Sequence, residues 1–299
     1  MIIFDQVKKH LDGKQILKLD HLQIPKGSIY GLIGANGAGK STMLRLISGV
    51  YFTDGGVVSV DGENILDNAE IKAKMFFVAD DPYFIPQATL EDMAEFFHTY
   101  YPSFDRTLYE QLSESFELPA QNKISTFSKG MRRQAIILLA LACRPEYLLL
   151  DESFDGLDPV MRQRLRRIMI DIAADRDMTV LISSHNLQEL DEFCDRVGVL
   201  YHGELLYDIT LEQLKDGVHK YQLAFSAPVG QEYFSRFRLL SCEIIGKFAT
   251  LVIRGERDVL NRKIESLEPL AVEEFPLSLE EIFIYEMEAK GYDYKNILA

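Results

Sequence analysis

The amino-acid sequence predicts an α/β fold, with a mostly parallel sheet, an antiparallel edge, an inserted helical subdomain and a small C-terminal α+β domain. The first observation is that short aliphatic runs alternate with segments of helical periodicity, which indicates a parallel sheet flanked by helices. These runs cover residues 28–33, 75–78, 147–150, 178–182 and 197–201. The first run ends in glycines, and residues 39–48 follow it with apolar side chains at helical spacing.

The other two observations are changes in composition and hydrophobic periodicity along the chain. Residues 90–118 are rich in Phe, Tyr and Glu and have helical periodicity. They predict a helical subdomain at about 87–143, which continues through a helix up to residue 142. Beyond residue 216, the strand-like runs are 221–225, 242–245 and 250–253, and the helical segments are 257–266 and 278–290. We therefore expect two domains, residues 1–215 and residues 216–299.

Charge and hydropathy exclude several classes of function. The 299 residues carry a net charge of −14, whereas nucleic acids and anionic lipid surfaces bind clustered Lys and Arg. We therefore expect no nucleic-acid partner and no polybasic membrane anchor. The longest apolar run, 135–143, is much shorter than the about 20 residues of a membrane-spanning helix, and the N-terminus has no signal-peptide core. The widely spaced Cys143, Cys194 and Cys242 are typical of reduced thiols in a cytosolic protein.

A glycine-rich segment after the first predicted strand matches the phosphate-loop pattern GxxxxGK[ST]. Its residues are Gly34, Ala35, Asn36, Gly37, Ala38, Gly39, Lys40 and Ser41, followed by Thr42. The glycines let successive backbone N–H groups point at phosphate oxygens, and the following helix adds its positive N-terminal end. In this pattern Lys40 reaches the β- and γ-phosphates, and the Ser41 hydroxyl ligates Mg²⁺. The segment therefore predicts binding of a nucleoside triphosphate with Mg²⁺.

A second predicted strand, 147–150, ends in the carboxylates Asp151 and Glu152. Ligands of a parallel sheet lie beyond the carboxyl ends of its strands, which places Asp151 near the Mg²⁺ held by Ser41. Glu152 is one residue further on and can face the γ-phosphate. A carboxylate in that position can polarise or orient the attacking water.

These motifs resemble, in their order, the nucleotide-binding domain of ATP-binding-cassette (ABC) transporters, a phosphate-loop NTPase with a RecA-like core. The resemblance covers about residues 1–215 and includes three further motifs. They are Phe127-Ser128-Lys129-Gly130-Met131 at the place of the family signature, Gly156-Leu157-Asp158 at the place of the D-loop, and Ser184-His185 at the place of the switch histidine.

The resemblance implies a head-to-tail dimer with two ATP molecules at its interface. Lys40 and its loop would hold each ATP from one subunit. Ser128 and Gly130 would contact the γ-phosphate from the other subunit, at the N-terminal end of a helix whose dipole favours anions.

The resemblance also implies roles for the two remaining motifs. His185 would contact the γ-phosphate and Glu152, so that Lys40, Glu152 and His185 are the expected catalytic residues. Asp158 would help to order the dimer interface while it N-caps the helix that starts after it.

Three positions depart from the family pattern. Asp80 stands where the family has a glutamine, and we expect it to offer oxygen to Mg²⁺ and to keep a coupling role. Leu11 stands where an aromatic side chain stacks on adenine. The base would then rest on an aliphatic face or on the adjacent His10, and GTP would also serve. Lys129 and Met131 replace Gly and Gln in the signature, as in ABC-2-type exporters of drugs, antimicrobial peptides and lipids.

The C-terminal unit ends in a segment that resembles the close of the same exporter branch. Ser278 is expected to N-cap its helix, with Glu281 completing a capping box. The unit is interpreted either as a dimerisation or regulatory appendage or as a packing element. Residues 265–293 are acidic and predict a solvated surface.

Three functions remain open on the sequence. The first is the motor subunit of an exporter, bound to the cytoplasmic face of the membrane through a separate transmembrane permease that docks in a groove lined by residues 81–87. The second is a soluble ABC ATPase of ribosomes or DNA, which the acidic charge and the single phosphate loop disfavour. The third is a non-hydrolysing regulatory binder, which Glu152 and His185 disfavour. The two subunits of the dimer would be identical chains or a related pair.

Overall fold

The computed structural model describes residues 1–185, 187–289 and 291–292. They form two compact units. The first comprises Met1–His185 and Phe193–Asp208, and the second comprises the described residues of Asn186–Glu192 and Ile209–Ala299. The division into domains at residue 215 remains a prediction.

Strands and helices alternate along most of the chain. The strands are β1 (Ile2–Leu11), β2 (Lys14–Ile24), β3 (Ile29–Ile33), β4 (Gly55–Val60), β5 (Glu63–Asn64), β6 (Met75–Val78), β7 (Tyr147–Asp151), β8 (Thr179–Ser184), β9 (Arg196–Tyr201), β10 (Glu204–Thr210), β11 (Val218–Ala224), β12 (Leu239–Ile245), β13 (Phe248–Arg254) and β14 (Ala271–Phe275). The helices are α1 (Lys40–Ile47), α2 (Ala69–Ala73), α3 (Leu90–Tyr100), α4 (Arg106–Ser115), α5 (Lys129–Ala142), α6 (Pro159–Arg176), α7 (Leu187–Asp191), α8 (Leu211–Asp216), α9 (Arg257–Glu265) and α10 (Leu279–Ala289). Short 3-10 turns lie at Ile124–Thr126 and Gln231–Phe234.

The central sheet has the strand order β10-β9-β3-β8-β7-β6. Its pairs β3–β8, β3–β9, β7–β8 and β6–β7 are parallel. Every residue of β3, β7 and β8 is buried, as expected for parallel strands covered on both faces. Their register places Ile33 beside Ser184 and Asp151 beside Ser183. The loops that follow these strands therefore start at one edge of the sheet.

An antiparallel sheet of order β2-β1-β4-β5 forms the predicted edge of the first unit. Its buried side chains share one core with α1 and the central sheet, and this core includes Phe4, Leu19, Met43, Leu44 and Leu181. Burial of α1 in this core fixes the helix that begins at the end of the phosphate loop.

The helical insertion contains α3, α4 and α5, each with a side-chain cap at its start. Thr89 and Asp92 form a capping box, Asp105 caps α4, and the Ser128 hydroxyl accepts a hydrogen bond from the Met131 N–H. The predicted helical character of residues 90–118 is confirmed, and it is divided between α3 and α4. The predicted helix that ends at residue 142 is α5.

The second unit contains an antiparallel sheet of order β12-β13-β11-β14, together with α9 and α10. The predicted capping box is present, since the Ser278 hydroxyl accepts from the Glu281 N–H and the Glu281 carboxylate accepts from the Ser278 N–H. Lys290, the predicted end of this helix, and Asp293, the predicted end of the acidic surface, lie outside the described residues.

Two further sequence expectations concern membrane spans and thiols. Within residues 1–185, 187–289 and 291–292, no helix combines the length and the apolar character needed to cross a bilayer. Cys143 and Cys194 are buried free thiols and Cys242 is half-buried. Burial raises the pKa of all three thiols, as expected for cysteines that pack as small apolar side chains.

Candidate functional site

The phosphate loop lies between the buried strand β3 and the start of α1. Gly39 is the N-cap of α1 with a φ of 110°, a conformation that a residue with a Cβ adopts only under strain. The Lys40 side chain is 4% exposed, and its ammonium donates to the carbonyl oxygens of Gly34 at 2.6 Å and Ala35 at 3.2 Å. The loop therefore curls around the ammonium group of its own lysine.

Asp151 lies at the end of β7, beside the start of α1. Its side chain is 1% exposed, and Oδ1 accepts hydrogen bonds from the Ser41 hydroxyl at 3.0 Å and the Ser183 hydroxyl at 2.7 Å. The Ser41 and Asp151 oxygens are the hard ligands that Mg²⁺ prefers, and they are already adjacent. This donor set fits the metal that the phosphate-loop motif implies.

Glu152 lies between the phosphate-loop lysine and the histidine after β8. Oε1 of Glu152 is 3.4 Å from the Lys40 ammonium nitrogen, and Oε2 is 3.8 Å from Nδ1 of His185. The backbone of Glu152 has a φ of 45°, in the left-handed region, and its N–H donates to the Ser183 hydroxyl at 3.0 Å. Non-glycine residues in this region are uncommon outside turns and functional sites.

Ser183 and Asp155 belong to this cluster but were missed on the sequence. The buried Ser183 hydroxyl bridges the Asp151 carboxylate and the Glu152 N–H. Asp155 contributes a carboxylate oxygen that lies within 4.8 Å of ligand atoms of Glu152 and His185. Ser183 precedes the Ser184-His185 motif by one residue and Asp155 follows Glu152 by three, so proximity in sequence was the available signal for both.

The signature segment packs against the loop that contains Gly156. A Cβ on Gly130 would lie 3.2 Å from the Gly156 carbonyl oxygen, which is tighter than ordinary packing allows. A Cβ on Gly156 would in turn lie 3.4 Å from Cδ of the Lys129 side chain. Lys129 and Gly130 of the signature segment therefore lie against the Gly156 loop.

Asp158 caps α6 as predicted. Its Oδ1 accepts hydrogen bonds from the N–H groups of Val160 at 3.1 Å and Met161 at 3.0 Å, with Pro159 in the first turn. The side chain is exposed, and its expected interface role remains a prediction.

Leu11 is the last residue of β1 and pairs with Lys14 across a tight turn. The neighbouring His10 donates its backbone N–H to Asp54, and its Nδ1 lies 3.4 Å from the same carboxylate. The imidazole thus has an acidic partner, whereas the half-buried Leu11 presents an aliphatic side chain.

Asp80 follows β6, which is parallel to β7 with Val78 beside Leu150, so Asp80 leaves the sheet at the same edge as Asp151. Its side chain is 62% exposed, and Oδ1 accepts a hydrogen bond from the Arg133 guanidinium at 2.9 Å. The sequence did not predict Arg133 as a partner of Asp80, because this arginine lies in the largely apolar α5 and belongs to no recognised motif. Ligation of Mg²⁺ by Asp80 remains a prediction.

A groove of about 710 Å³ lies beside the helical insertion. Residues 80–87 line it together with Ile124, Ser125, Lys129, Arg132 and Arg133. The groove therefore contains the whole segment 81–87 that the sequence assigned to partner docking, and Tyr83 is 75% exposed there.

This chain has the features of a phosphate-loop nucleotide-binding protein. They are the phosphate loop, the acidic end of β7 and the parallel sheet. Comparison with known proteins gives the family. The ABC transporter family matches residues 17–155. The ABC transporter ATP-binding protein YtrB of Bacillus subtilis strain 168 is 34% identical over 97% of this chain and 99% of its own length. The chain belongs to the ATP-binding proteins of ABC transporters, which bind and hydrolyse ATP.

Other relatives and structures agree with this assignment. The bacitracin transport ATP-binding protein BcrA of Bacillus licheniformis is 33% identical over 68% of each chain. The lantibiotic transport ATP-binding protein SrtF of Streptococcus pyogenes is 30% identical over 76% of this chain and 96% of its own. A solved ATP-binding subunit of an ABC transporter superposes with a TM-score of 0.66 at 26% identity, covering 72% of this chain and 91% of its own. A dimeric ATP-binding cassette bound to ADP and phosphate has the same fold, with a TM-score of 0.64 at 24% identity over 71% of this chain and 99% of its own.

Proposed function

We propose that two copies of this chain bind ATP with Mg²⁺ between them and that hydrolysis drives export through a separate transmembrane permease at the cytoplasmic face of the membrane. The observation that carries the proposal is the position of Glu152. Its two carboxylate oxygens lie 3.4 Å from the Lys40 ammonium and 3.8 Å from the His185 imidazole. An acid in this position serves hydrolysis, and simple nucleotide storage would not require it.

Residues of the phosphate loop and of β7 would hold the triphosphate and the metal. The loop N–H groups from Gly34 to Thr42 and the start of α1 would bind phosphate oxygens, and Lys40 would exchange its carbonyl partners for the β- and γ-phosphates. Ser41 and Asp151 would hold Mg²⁺, which neutralises charge that develops on the phosphates. Their 3.0 Å contact supports this donor set.

Glu152 and His185 would act on the attacking water and the γ-phosphate. The Glu152 carboxylate would orient the water and accept its hydrogen bond, while the His185 imidazole would contact the γ-phosphate. Ser183 would hold Glu152 in position through the backbone N–H. Preorganised polar groups of this kind stabilise the transition state without reorganising during the reaction.

The second copy would complete each site. Ser128, Gly130 and the N-terminal end of α5 would approach the γ-phosphate from the opposite subunit, as the family resemblance implies. A homodimer would supply both signatures and both Asp158 side chains. The base would rest on Leu11, because His10 is already engaged with Asp54. Weak discrimination between ATP and GTP follows from an aliphatic contact.

A membrane-active peptide antibiotic is the proposed class of transported substrate. Two relatives are named for transport of bacitracin and of lantibiotics. The permease would dock in the groove lined by residues 80–87. The net charge of −14 opposes a nucleic-acid partner.

The proposal is tested by trapping the closed dimer with a tagged Glu152→Gln variant, ATP and Mg²⁺ in detergent-solubilised native membranes. We expect a permease with several membrane spans to co-purify with the variant. The matched control is Lys40→Ala/Glu152→Gln, which keeps the same surface but should not bind ATP or stabilise the dimer.

Two results would contradict the proposal. Recovery of ribosomes or other soluble material alone would indicate that the protein is a soluble ABC ATPase and does not act on a permease. Binding of ATP without turnover by the unmodified chain in its purified complex would identify a regulatory binder.

A further inference from the structure

Arg133 is a buried cation that connects two parts of the first unit. It lies near the start of α5, and its side chain is 2% exposed. One guanidinium nitrogen donates to the Ala79 carbonyl oxygen at 3.0 Å, and the other donates to Oδ1 of Asp80 at 2.9 Å. Both acceptors belong to the segment that leaves the sheet after β6. The Arg133 side chain therefore joins this segment to α5, the helix that begins in the signature segment.

The burial of the two partners is unequal. Arg133 is enclosed, whereas the Asp80 side chain is 62% exposed. A buried charge without its partner is much less stable than the same charge when paired, so separation of Asp80 from Arg133 is costly. Asp80 nevertheless remains accessible from the groove. The pair is thus both strongly held and open to contact by a partner.

The two ends of the pair lie beside functional elements. Asp80 begins the segment 80–87 that lines the groove. Arg133 is five residues after Ser128, the N-cap of α5, and the first turn of that helix packs on Gly156. A rigid helix transmits a displacement along its length, so a movement of Asp80 would reach Ser128 and Gly130 through Arg133 and the first turns of α5.

We propose that the Asp80–Arg133 pair is a positioning tether that transmits the seating of a permease segment in the groove to the signature residues Ser128 and Gly130. The inference rests on the proposed function and deepens it. It assigns Asp80 to the tether rather than to the metal, and it makes Arg133 a positioning residue for ATP hydrolysis. Arg133→Lys keeps the charge but loses the planar fork that reaches Ala79 and Asp80 together.

A double-mutant cycle on the purified transporter complex tests the tether. Arg133→Lys and Asp80→Asn are each expected to lower kcat about tenfold while the KM for ATP changes less than about twofold, since positioning acts on the transition state. The double variant is expected to be no slower than the slower single variant, an interaction of about tenfold for residues in direct contact. The Mg²⁺ concentration for half-maximal turnover should stay unchanged in Arg133→Lys.

Controls separate the tether from general destabilisation. Arg144→Lys makes the same change at an arginine that does not line the groove and whose guanidinium donates to the Asp105 carboxylate at 3.2 Å, and it should stay within about twofold of the unmodified kcat. Asp80→Glu, which retains the charge at an exposed position, should turn over at least about fivefold faster than Asp80→Asn. This comparison decides the question even if Arg133→Lys does not fold.

Three results would overturn the tether. They are additive losses in the cycle, equal turnover by Asp80→Glu and Asp80→Asn, and a shifted Mg²⁺ requirement in Asp80→Asn with no counterpart in Arg133→Lys. The last of these would return Asp80 to the metal site. All three results can be measured only if the unmodified complex hydrolyses ATP. Absence of turnover in the unmodified complex would therefore contradict the proposed function and not the tether.

Discussion

Replacement of Ser183 by alanine should slow ATP hydrolysis much more than it weakens ATP binding. The Ser183 hydroxyl donates to Asp151 at 2.7 Å and accepts from the Glu152 N–H at 3.0 Å. The side chain is 1% exposed, so water cannot readily take its place. Its removal would leave the part-buried Glu152 N–H without this partner and would release the backbone that aims the Glu152 carboxylate.

The size of the effect follows from the two hydrogen bonds. A bond to a charged group contributes about 1.5–3 kcal/mol, and a neutral bond about 1 kcal/mol. Loss of both would lower the free energy of unfolding by about 2–4 kcal/mol. If the loss at Asp151 is felt wholly in the transition state, kcat falls about 10- to 150-fold, because 1.36 kcal/mol corresponds to a tenfold change in rate.

Steady-state phosphate release would measure kcat, a fluorescent ATP analogue would measure the dissociation constant, and urea unfolding would measure stability. Ser153→Ala is the matched control, because Ser153 is also buried but donates to the Asp151 backbone carbonyl at 3.3 Å. We expect this control to retain kcat within about threefold. A Ser183→Ala protein that unfolds more easily but keeps its kcat would refute the positioning argument and leave Ser183 with a structural role.

Two further predictions concern a helix cap and an acidic side chain of the second unit. Asp158→Ala should lower the free energy of unfolding by about 1 kcal/mol and Asp158→Asn by much less, since asparagine also caps; equal losses in urea unfolding would contradict the capping role. Burial raises the pKa of Glu274, but hydrogen bonds from Arg257 and His219 outweigh it and hold the pKa below its usual value. A lowered carboxyl pKa stabilises the fold above the unfolded pKa, and this stability is lost as the pH falls through the folded pKa. Glu274→Gln should therefore weaken amide protection in β11 and β14 by about 1 kcal/mol at pH 7, relative to Glu273→Gln, and much less below about pH 4. A deficit that is the same at both pH values would show that the charge of Glu274 is not responsible.

Motifs that are continuous in sequence were recovered from the sequence itself. The phosphate loop brings Lys40 and Ser41 to the start of α1 because glycines and a helix N-terminus act over a few neighbouring residues. The caps at Asp158 and Ser278 are similarly local, and each makes the predicted side-chain bond. The alternation of strands and helices also predicted the parallel sheet and the helical insertion.

Contacts between distant segments were accessible only in part. The sequence suggested that Ser41 and Asp151 approach each other, because both follow the carboxyl ends of strands in one parallel sheet. It did not suggest Ser183 as the bridge to Glu152, since a serine at a strand end carries no distinctive pattern. The sequence also predicted Asp80 as a metal ligand. Its partner Arg133 follows only from the tertiary packing of α5 beside β6.

The sequence alone determined the class of protein, the fold class and the chemistry of the phosphate loop, because these depend on short motifs and on periodicity. Tertiary structure decided which groups surround those motifs. The register of β7 against β8 brings Ser183 to Asp151. The packing of α5 buries Arg133 against Asp80. Such pairings join residues that are 32 and 53 positions apart. They follow from how the strands and helices pack, which local pattern does not encode.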